Sequence, residues 1–471
     1  MDIIGIITGL LPYAIAAFVL VILAAGAILL VYYIYRKRGG ARTIRKSQFL
    51  SFFLLLGWFV VVMGITTFSR GANYAGWFNF RLFSGYVNAW NNWSLSEAQL
   101  IVFNMLMFMP LGFLLYLLTK KLRRFWPVLF VSSAVTVSIE LFQMLTRRGI
   151  FELDDILHNT LGSIAGYFII AAVLSCAEKR KLLFRPVLRA LAIPLAFVLL
   201  FSGATIVYHA QELGNMPIVP AVPQNMKGVV VESTVEFPGA ADPVPLYHND
   251  HIRNMDYMKQ MAALLEDTFA LRREAGIRID GSNRQIAYRD EREEQYNYTF
   301  SMTDGSWSLS RDGYSNRTLS PQEREEQTAF FERWLGENGL LPDDAVFTMQ
   351  DGDTLRWDAP VQDEGVPADY MSGQIMVTPS SDADVPSSLW YFIAGNKFVR
   401  TTPVRSPAQA YEAILAGQFN LYNDLAPGDT VEIAAYELRY VYDTKGYYRP
   451  AYYFVGTVNG EPWSCEISAT A

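Results

Sequence analysis

The first 208 residues contain six apolar stretches, and each is about as long as, or longer than, the roughly 20 residues that a helix needs to cross the hydrocarbon core of a bilayer. They cover residues 6–35, 49–68, 100–118, 126–145, 160–176 and 191–208. A bilayer has no water to pair with the backbone, so stretches of this length predict α-helices whose hydrogen bonds are internal. We therefore expect a transmembrane bundle of six helices over residues 1–209.

Basic residues between the stretches predict the orientation of the bundle, because Lys and Arg near the ends of spanning helices stay on the cytoplasmic side. Fifteen of them lie in segments 36–46, 120–124 and 179–189, after the first, third and fifth stretches. The other side has four, namely Arg70, Arg81, Arg147 and Arg148. The first stretch is too long for the apolar core of a signal peptide, which is about 7–15 residues. We expect it to be a retained helix, with both termini of the chain extracytoplasmic.

The charge differs between two parts of the chain, although the net charge of the whole is only −7. Residues 1–209 carry a net charge of +12, and residues 210–471 carry −19. An acidic hydrophilic part repels phosphate, so we expect no nucleic acid among the partners. Where the acidic part begins, a Pro-rich stretch at 210–228 predicts a semi-stiff linker.

Helical and alternating patterns are mixed in the acidic part. One amphipathic helix is predicted at 251–273, and two others open with Ser320-Pro321 and Ser406-Pro407, since a capping serine followed by proline favours a helix start. Alternating segments at 296–302, 373–377, 389–393, 430–442 and 451–458 predict strands. We expect an extracytoplasmic α+β domain at 229–471, built from two small units at 229–400 and 401–471.

Polar residues that are unusual in a membrane segment gather near the outer ends of the third, fourth and fifth stretches. Glu140, Gln143 and Arg147 are spaced i, i+3 and i+7, so they share one face of the fourth helix. Ionisable residues are costly to bury in a membrane, which makes them functional candidates. We predict a ligand-binding set of Asn104, Ser138, Glu140, Gln143, Arg148, Asp154, Asp155 and Asn159.

Some of these polar residues also have a purely structural interpretation. Glu140 could pair with Arg147 two turns away, or with a neighbouring helix, and so hold the bundle together. Gly162 and Gly166 form a small-xxx-small step, which favours a close helix contact over a ligand site.

A metal site is a further alternative. Asp154, Asp155 and His158 are weak candidate ligands, because three ligand-type residues in one short stretch have no second motif beside them. We expect no cofactor, with a divalent cation as the alternative.

Four pieces of sequence, spaced between about residues 50 and 175, carry a family resemblance. They are residues 104–113, 138–143, 148–155 and 159–166, and in this order they resemble the VanZ-like membrane family. An upstream piece at 79–83 is similar to the family's Asn-Leu-x-Pro-Phe element, with Leu82 in place of the proline, and His158 occupies a position that is usually aliphatic. The resemblance implies a bacterial cell-membrane protein of the envelope, whose best-known relatives are associated with resistance to the glycopeptide teicoplanin.

The predicted set suits an amphiphilic ligand. Arginine matches a phosphate or carboxylate head group, while carboxylates and amides match sugar or amine groups. We predict that the protein binds a lipid-linked or lipophilic cell-wall compound in a polar pocket at the outer leaflet. The alternative is an enzyme that modifies a lipid head group, with Glu140 as general acid or base and with Asp154 and Asp155 holding a cation. No Gly-x-Ser-x-Gly or Cys-His motif accompanies them, so binding without catalysis is favoured.

The last 65 or so residues have a second, fainter likeness. Residues 406–413, 417–419, 431–440 and 449–454 look like the tail repeats of the YycH/YycI and PepSY-like extracytoplasmic proteins. This likeness implies a non-catalytic regulatory module with an envelope protein as its partner. In a third interpretation the membrane part is only an anchor, and the extracellular domain is the sensor or regulator.

Overall fold

The computed structural model describes residues 3–41, 45–72, 78–313, 320–350, 354–359, 366–380, 385–421 and 424–470. They divide into two compact units, a helical unit formed by residues 2–90 with 94–211 and a second unit formed by residues 91–93 with 212–471. Arg42, one of the fifteen basic residues used for the orientation, lies outside the described residues.

The helical unit contains six long apolar helices and one short helix in its described part. In chain order these are α1 (Ile3–Lys37), α2 (Lys46–Met63), the short α3 (Ser84–Asn91), α4 (Leu95–Leu118), α5 (Phe125–Leu145), α6 (Leu153–Lys179) and α7 (Phe184–Ala210). All except α3 are long and apolar enough to cross a membrane. The predicted helical bundle of a multi-pass membrane protein is thus confirmed.

Several helices begin earlier than their apolar stretches predict, and in α4 and α6 the added first turn is polar. Helix α4 starts at Leu95 because the hydroxyl of Ser94 accepts a hydrogen bond from the backbone N–H of Glu97, the usual way to satisfy a helix start. Helix α6 starts at Leu153 and has Asp154 and Asp155 in its first turn, where carboxylates interact favourably with the helix dipole. Polar first turns therefore belong to both helices, and hydropathy alone does not detect them.

Three glycines allow α4 and α6 to pack backbone to backbone. A Cβ atom at Gly162 would lie 2.1 Å from the carbonyl oxygen of Met105, and one at Gly166 would lie 2.0 Å from that of Met109. On the opposite helix, a Cβ at Gly112 would lie 1.7 Å from a backbone oxygen of α6. Because no side chain fits at these points, the close contact predicted from the small-xxx-small step is confirmed.

Short connections complete the helical unit. Helix α2 continues as a π-helical turn over Gly64–Phe68, and a 3₁₀ turn at Lys120–Arg123 precedes α5. Strand β1 (Phe78–Asn79) pairs in parallel with β2 (Phe151–Glu152). This pairing joins the segment before α3 to the loop between α5 and α6.

The second unit is α+β, as predicted. Its described helices are α8 (Met255–Phe269), α9 (Pro321–Glu337) and α10 (Pro407–Leu415). Ser320 and Ser406 each form a capping box, with proline in the first turn, so both predicted helix starts are confirmed. The described strands are β3 (Val230–Ser233), β4 (Val244–His248), β5 (Arg272–Arg273), β6 (Arg278–Asp280), β7 (Asn283–Arg289), β8 (Gln295–Ser301), β9 (Trp307–Arg311), β10 (Val346–Gln350), β11 (Thr354–Asp358), β12 (Tyr370–Ser372), β13 (Gln374–Thr378), β14 (Ser388–Tyr391), β15 (Ala394–Thr402), β16 (Thr430–Tyr442), β17 (Tyr447–Val458) and β18 (Glu461–Ser468).

These strands form two sheets whose members alternate along the chain. Within the described residues, nine strands form one sheet in the order β10-β11-β13-β14-β9-β8-β7-β5, with β6 beside β7. Seven form the other in the order β12-β15-β4-β17-β16-β3, with β18 beside β17. The predicted division into 229–400 and 401–471 is therefore wrong, because β3, β4 and β12 lie before residue 400 and join the sheet of β16, β17 and β18. Pairing between strands far apart in sequence leaves no local pattern that would reveal it.

The stretch at 210–228 is not a free linker. After α7 ends, Gly214 donates its backbone N–H to Oδ2 of Asp443 at 2.6 Å. Ten residues further on, the N–H of Gln224 donates to the carbonyl of Gly417 at 2.8 Å. The prolines limit the conformations of this stretch, and these hydrogen bonds make residues 212–228 part of the second unit.

Candidate functional site

A polar cavity of about 280 Å³ lies within the helical unit, where α2, α5 and the segment before α3 end and where α4 and α6 begin. It is lined by seven residues singled out in the sequence: Asn104, Glu140, Gln143, Asp154, Asp155, His158 and Asn159. Their convergence depends on the glycine contact between α4 and α6, since this contact brings the first turns of α6 against the first half of α4.

Glu140 is buried in the wall that α5 contributes, with 2% of its surface exposed. Its Oε2 accepts a hydrogen bond from the backbone N–H of Glu152 at 3.4 Å. Arg147 is exposed and has a left-handed backbone conformation with φ of +57° at the end of α5, and it forms no ion pair with Glu140. The structural pairing of these two residues is therefore not present, and the carboxylate of Glu140 faces the cavity.

Asp155 and Asn159 lie one turn apart on α6 and line the same wall. Oδ1 of Asp155 accepts a hydrogen bond from Nδ2 of Asn104 at 2.7 Å. Nδ2 of Asn159 donates to the hydroxyl of Thr136 at 2.9 Å. Oδ1 of Asn159 is buried and has no hydrogen-bond partner within the described part of the chain, so a hydrogen-bond acceptor is left for a ligand.

Asp154 has a different role from its neighbour. Its two oxygens accept hydrogen bonds from the backbone N–H groups of Phe83 at 2.6 Å and Gly85 at 2.9 Å. The carboxylate thus satisfies the start of α3, and Phe83 reaches this position with a φ of +68°. We assign Asp154 to the support of the cavity wall, because both of its oxygens already have donors.

His158 also contacts α3, since its Nε2 lies 2.8 Å from the hydroxyl of Tyr86 on that helix. Burial, with a smaller contribution from the charge of Asp154, raises the pKa of Tyr86 to about 12. Within the described residues, no group of three or more His, Cys, Asp or Glu side chains has a geometry that could hold a metal ion. The weak metal candidates Asp154 and His158 instead hold α3 in place.

Two residues of the predicted set do not reach the cavity. Ser138 is two residues from Glu140, which turns it to the exposed side of α5, and its hydroxyl donates to the carbonyl of Ala134 at 2.7 Å. Arg148 lies beyond the end of α5, and its guanidinium donates to the backbone carbonyl of Arg70 at 2.6 Å. The phosphate-binding arginine that the sequence predicts is therefore not in the cavity.

The predicted set lacks several residues that line the cavity, among them Arg70, Glu152 and Glu97. Arg70 follows the π-helical turn at the end of α2, and its charge attracts the carboxylates of Glu140, Glu152 and Asp155. Glu152 enters through strand β2, beside Asn79 of β1, and burial raises the pKa of Glu152, although the hydrogen bond from Asn79 opposes this. The motif piece that begins at Asn79 was the signal that this loop belongs to the site.

The cavity is strongly acidic. Among the described residues that line it, five carboxylates (Glu97, Glu140, Glu152, Asp154 and Asp155) face one arginine, Arg70. Carboxylates and the oxygen of Asn159 accept hydrogen bonds, so the walls suit hydroxyl and amine groups better than anions.

A VanZ/LLP1 family model matches residues 49–174, so the chain contains a VanZ-like domain. Every described residue that lines the cavity lies within the matched range. No curated protein matches the chain.

Among solved structures, the chain is similar to the C-terminal domain of YpeB from Bacillus megaterium, with 14% identity over 46% of this chain and 93% of that chain and a TM-score of 0.20. It is also similar to an uncharacterized protein from Eubacterium rectale, with 12% identity over 53% and 93% of the two chains and a TM-score of 0.24.

Proposed function

We propose that this chain is a bacterial cell-envelope membrane protein that binds the head group of a lipid-linked or lipophilic cell-wall compound in its acidic cavity. The observation that carries the proposal is the convergence of Glu140, Gln143, Asp155 and Asn159 on one cavity. Such polar groups are costly inside an apolar bundle, and a helical bundle that only anchors the chain does not require them.

The size of the cavity supports binding of a head group only. A volume of about 280 Å³ is just below the range of about 300–1,000 Å³ that is usual for drug-sized ligands. A whole glycopeptide or lipid-linked intermediate therefore exceeds it. The acyl part of the ligand would stay in the bilayer, while its polar end enters between α4, α5 and α6.

The orientation in this proposal follows from the basic segments. With the residues of 36–46, 120–124 and 179–189 on the cytoplasmic side, the cavity opens towards the outer leaflet and both termini are extracytoplasmic. The acidic α+β unit then faces the cell wall. The VanZ-like domain supports a role in resistance to teicoplanin.

The proposal is tested in a glycopeptide-sensitive bacterium that expresses the full chain. We expect Glu140→Gln and Asp155→Asn to abolish any teicoplanin protection at equal membrane levels, because each removes a carboxylate from the cavity. Glu178→Gln is the matched control, since it neutralises an exposed carboxylate near the opposite end of α6. Full protection by both cavity variants would overturn the proposal and leave the membrane part as an anchor for the second unit.

A second candidate function is acid–base chemistry on the bound head group. It is favoured by the electrostatic interaction between Glu140 and Asp155, because two interacting carboxylates in one cavity can act as acid and base. Purified full-length protein that turns over a labelled envelope lipid, and loses this turnover in Glu140→Gln, would establish the enzyme. Binding of the lipid without turnover would leave the binding function alone.

A further inference from the structure

The negative charge of the cavity is only partly compensated. Asp154 receives the backbone N–H groups of Phe83 and Gly85, so its charge is stabilised within the protein. Glu140, Glu152 and Asp155 share the attraction of one cation, Arg70. In a low-dielectric interior an excess of like charge is unfavourable, and a positively charged ligand would relieve it.

Hydrogen-bond acceptors are also in excess. Oδ1 of Asn159 has no partner in the described structure, and the residue is only 4% exposed. Asp155 receives one donor from Asn104 through its Oδ1. A buried acceptor without a donor is costly, so the ligand is expected to supply N–H or O–H groups here.

Two other ligand classes fit less well. A single metal ion needs several ligands around one point, and within the described residues no group of three His, Cys, Asp or Glu side chains offers this. An anionic head group needs cationic partners, but Arg148 binds the carbonyl of Arg70 outside the cavity, and Arg70 already faces three carboxylates. The chemistry that remains combines positive charge with hydrogen-bond donors.

We propose that the cavity selects head groups that carry a protonated primary amine, which donates hydrogen bonds to Asp155 and Asn159 and lies within the field of Glu140. This inference rests on the proposed function and names the chemical class of its ligand. A lipid and a free small molecule can both supply the amine, and the two sources share the same recognition.

The test uses the full-length protein released from detergent in native mass spectrometry, with an equimolar mixture of four dioleoyl lipids. Phosphatidylethanolamine carries a primary amine, phosphatidylcholine a quaternary ammonium without N–H groups, phosphatidylglycerol an anionic head group, and a monoglucosyl diacylglycerol neutral hydroxyls. We expect retention of phosphatidylethanolamine over the other three by about tenfold, the value of one charge-assisted hydrogen bond. Free ethanolamine added in a separate arm shows whether the amine is recognised without acyl chains.

Single substitutions should change the preference for the amine lipid in opposite directions. Glu140→Gln and Asp155→Asn should abolish the preference for the amine lipid, while Glu178→Gln should keep it. Arg70→Gln removes the cation that faces the carboxylates, so it should increase the preference. This gain keeps the inference testable if a carboxylate variant fails to fold.

The possible failures are distinguishable. Preferential retention of the glucosyl lipid that depends on Glu140 would refute the amine while leaving the proposed function intact. Loss of the amine preference in Arg70→Gln would refute it as well. If no lipid depends on Glu140 or Asp155, both the inference and the proposed function fail.

Discussion

Nδ2 of Asn104 donates a hydrogen bond of 2.7 Å to Oδ1 of Asp155, and this bond joins α4 to the first turn of α6 across 51 residues of chain. It lies at the cavity wall, closer to the start of α6 than the glycine contacts that bring the two helices together. The pair therefore links the packing of the bundle to the shape of the site.

A double-mutant cycle measures this link. We expect Asn104→Ala and Asp155→Ala each to lower the free energy of unfolding, with a coupling energy of about 0.6 kcal/mol, the average that double-mutant cycles give for hydrogen bonds between membrane helices. Thermal or denaturant unfolding of the four proteins in one detergent provides the values. Additive effects would show that the bond contributes nothing to the stability of the bundle.

The close approach of α4 and α6 depends on its glycines. Gly162→Ala would put a methyl group 2.1 Å from the carbonyl oxygen of Met105, so the helices must separate, at a cost of about 1–3 kcal/mol or more. Gly203→Ala on α7 is the control, because nothing lies within 4 Å of its Cβ position. We expect a lower unfolding midpoint for the first variant and an unchanged or higher one for the second, and the reverse order would contradict the packing.

Asp154 is predicted to support α3 and not to bind the ligand. Asp154→Asn replaces one acceptor oxygen by an amide N–H₂ group that cannot accept from Phe83 or Gly85, and lost helix caps cost about 0.5–2 kcal/mol. We expect faster limited proteolysis within α3 in this variant, whereas Asp155→Asn should leave the cleavage of α3 unchanged. Unaltered proteolysis together with lost ligand binding would instead assign Asp154 to the ligand.

Glu152 should make stability depend on pH. Burial raises its pKa above the ordinary value of 4.5, so the folded protein binds the proton more tightly than the unfolded chain. The stability contributed by the protonated group is fully present below about pH 4.5 and is lost as the pH rises through the folded-state pKa. We expect Glu152→Gln to lose less thermal stability than the unchanged protein between pH 4.5 and neutrality. Parallel profiles of unfolding temperature against pH would contradict the raised pKa.

The segment after α7 is predicted to be held by Asp443. Its carboxylate is fully buried and accepts from the backbone N–H groups of Gly214, Lys445 and Tyr447. In Asp443→Asn the amide nitrogen cannot accept from Gly214, and a buried donor without a partner costs about 1–3 kcal/mol. We expect faster hydrogen exchange across residues 212–226, with Glu461→Gln, an exposed carboxylate change in the same unit, as the control.

Much of the fold was accessible from local patterns. Apolar runs of spanning length predicted the six long helices in the described part of the helical unit. The Ser-Pro steps at 320 and 406 predicted the starts of α9 and α10, since capping depends on neighbours in sequence. The pairing of β3, β4 and β12 with later strands was not accessible, because sheet partners are chosen by packing between distant segments. For the same reason, the prolines of residues 210–228 did not reveal that this stretch forms hydrogen bonds with distant parts of the second unit.

The sequence by itself determined that the chain spans the membrane and that costly polar groups gather near the ends of α4, α5 and α6, because hydrophobic length and residue chemistry are local properties. Only the tertiary structure decided which of these groups share a cavity. The crossing of α4 and α6 brought Asn104 to Asp155, and the pitch of α5 turned Ser138 away from Glu140. The fold also places Arg70 opposite three carboxylates. Which side of a helix a charge lies on, and which charge it faces, therefore depend on tertiary packing.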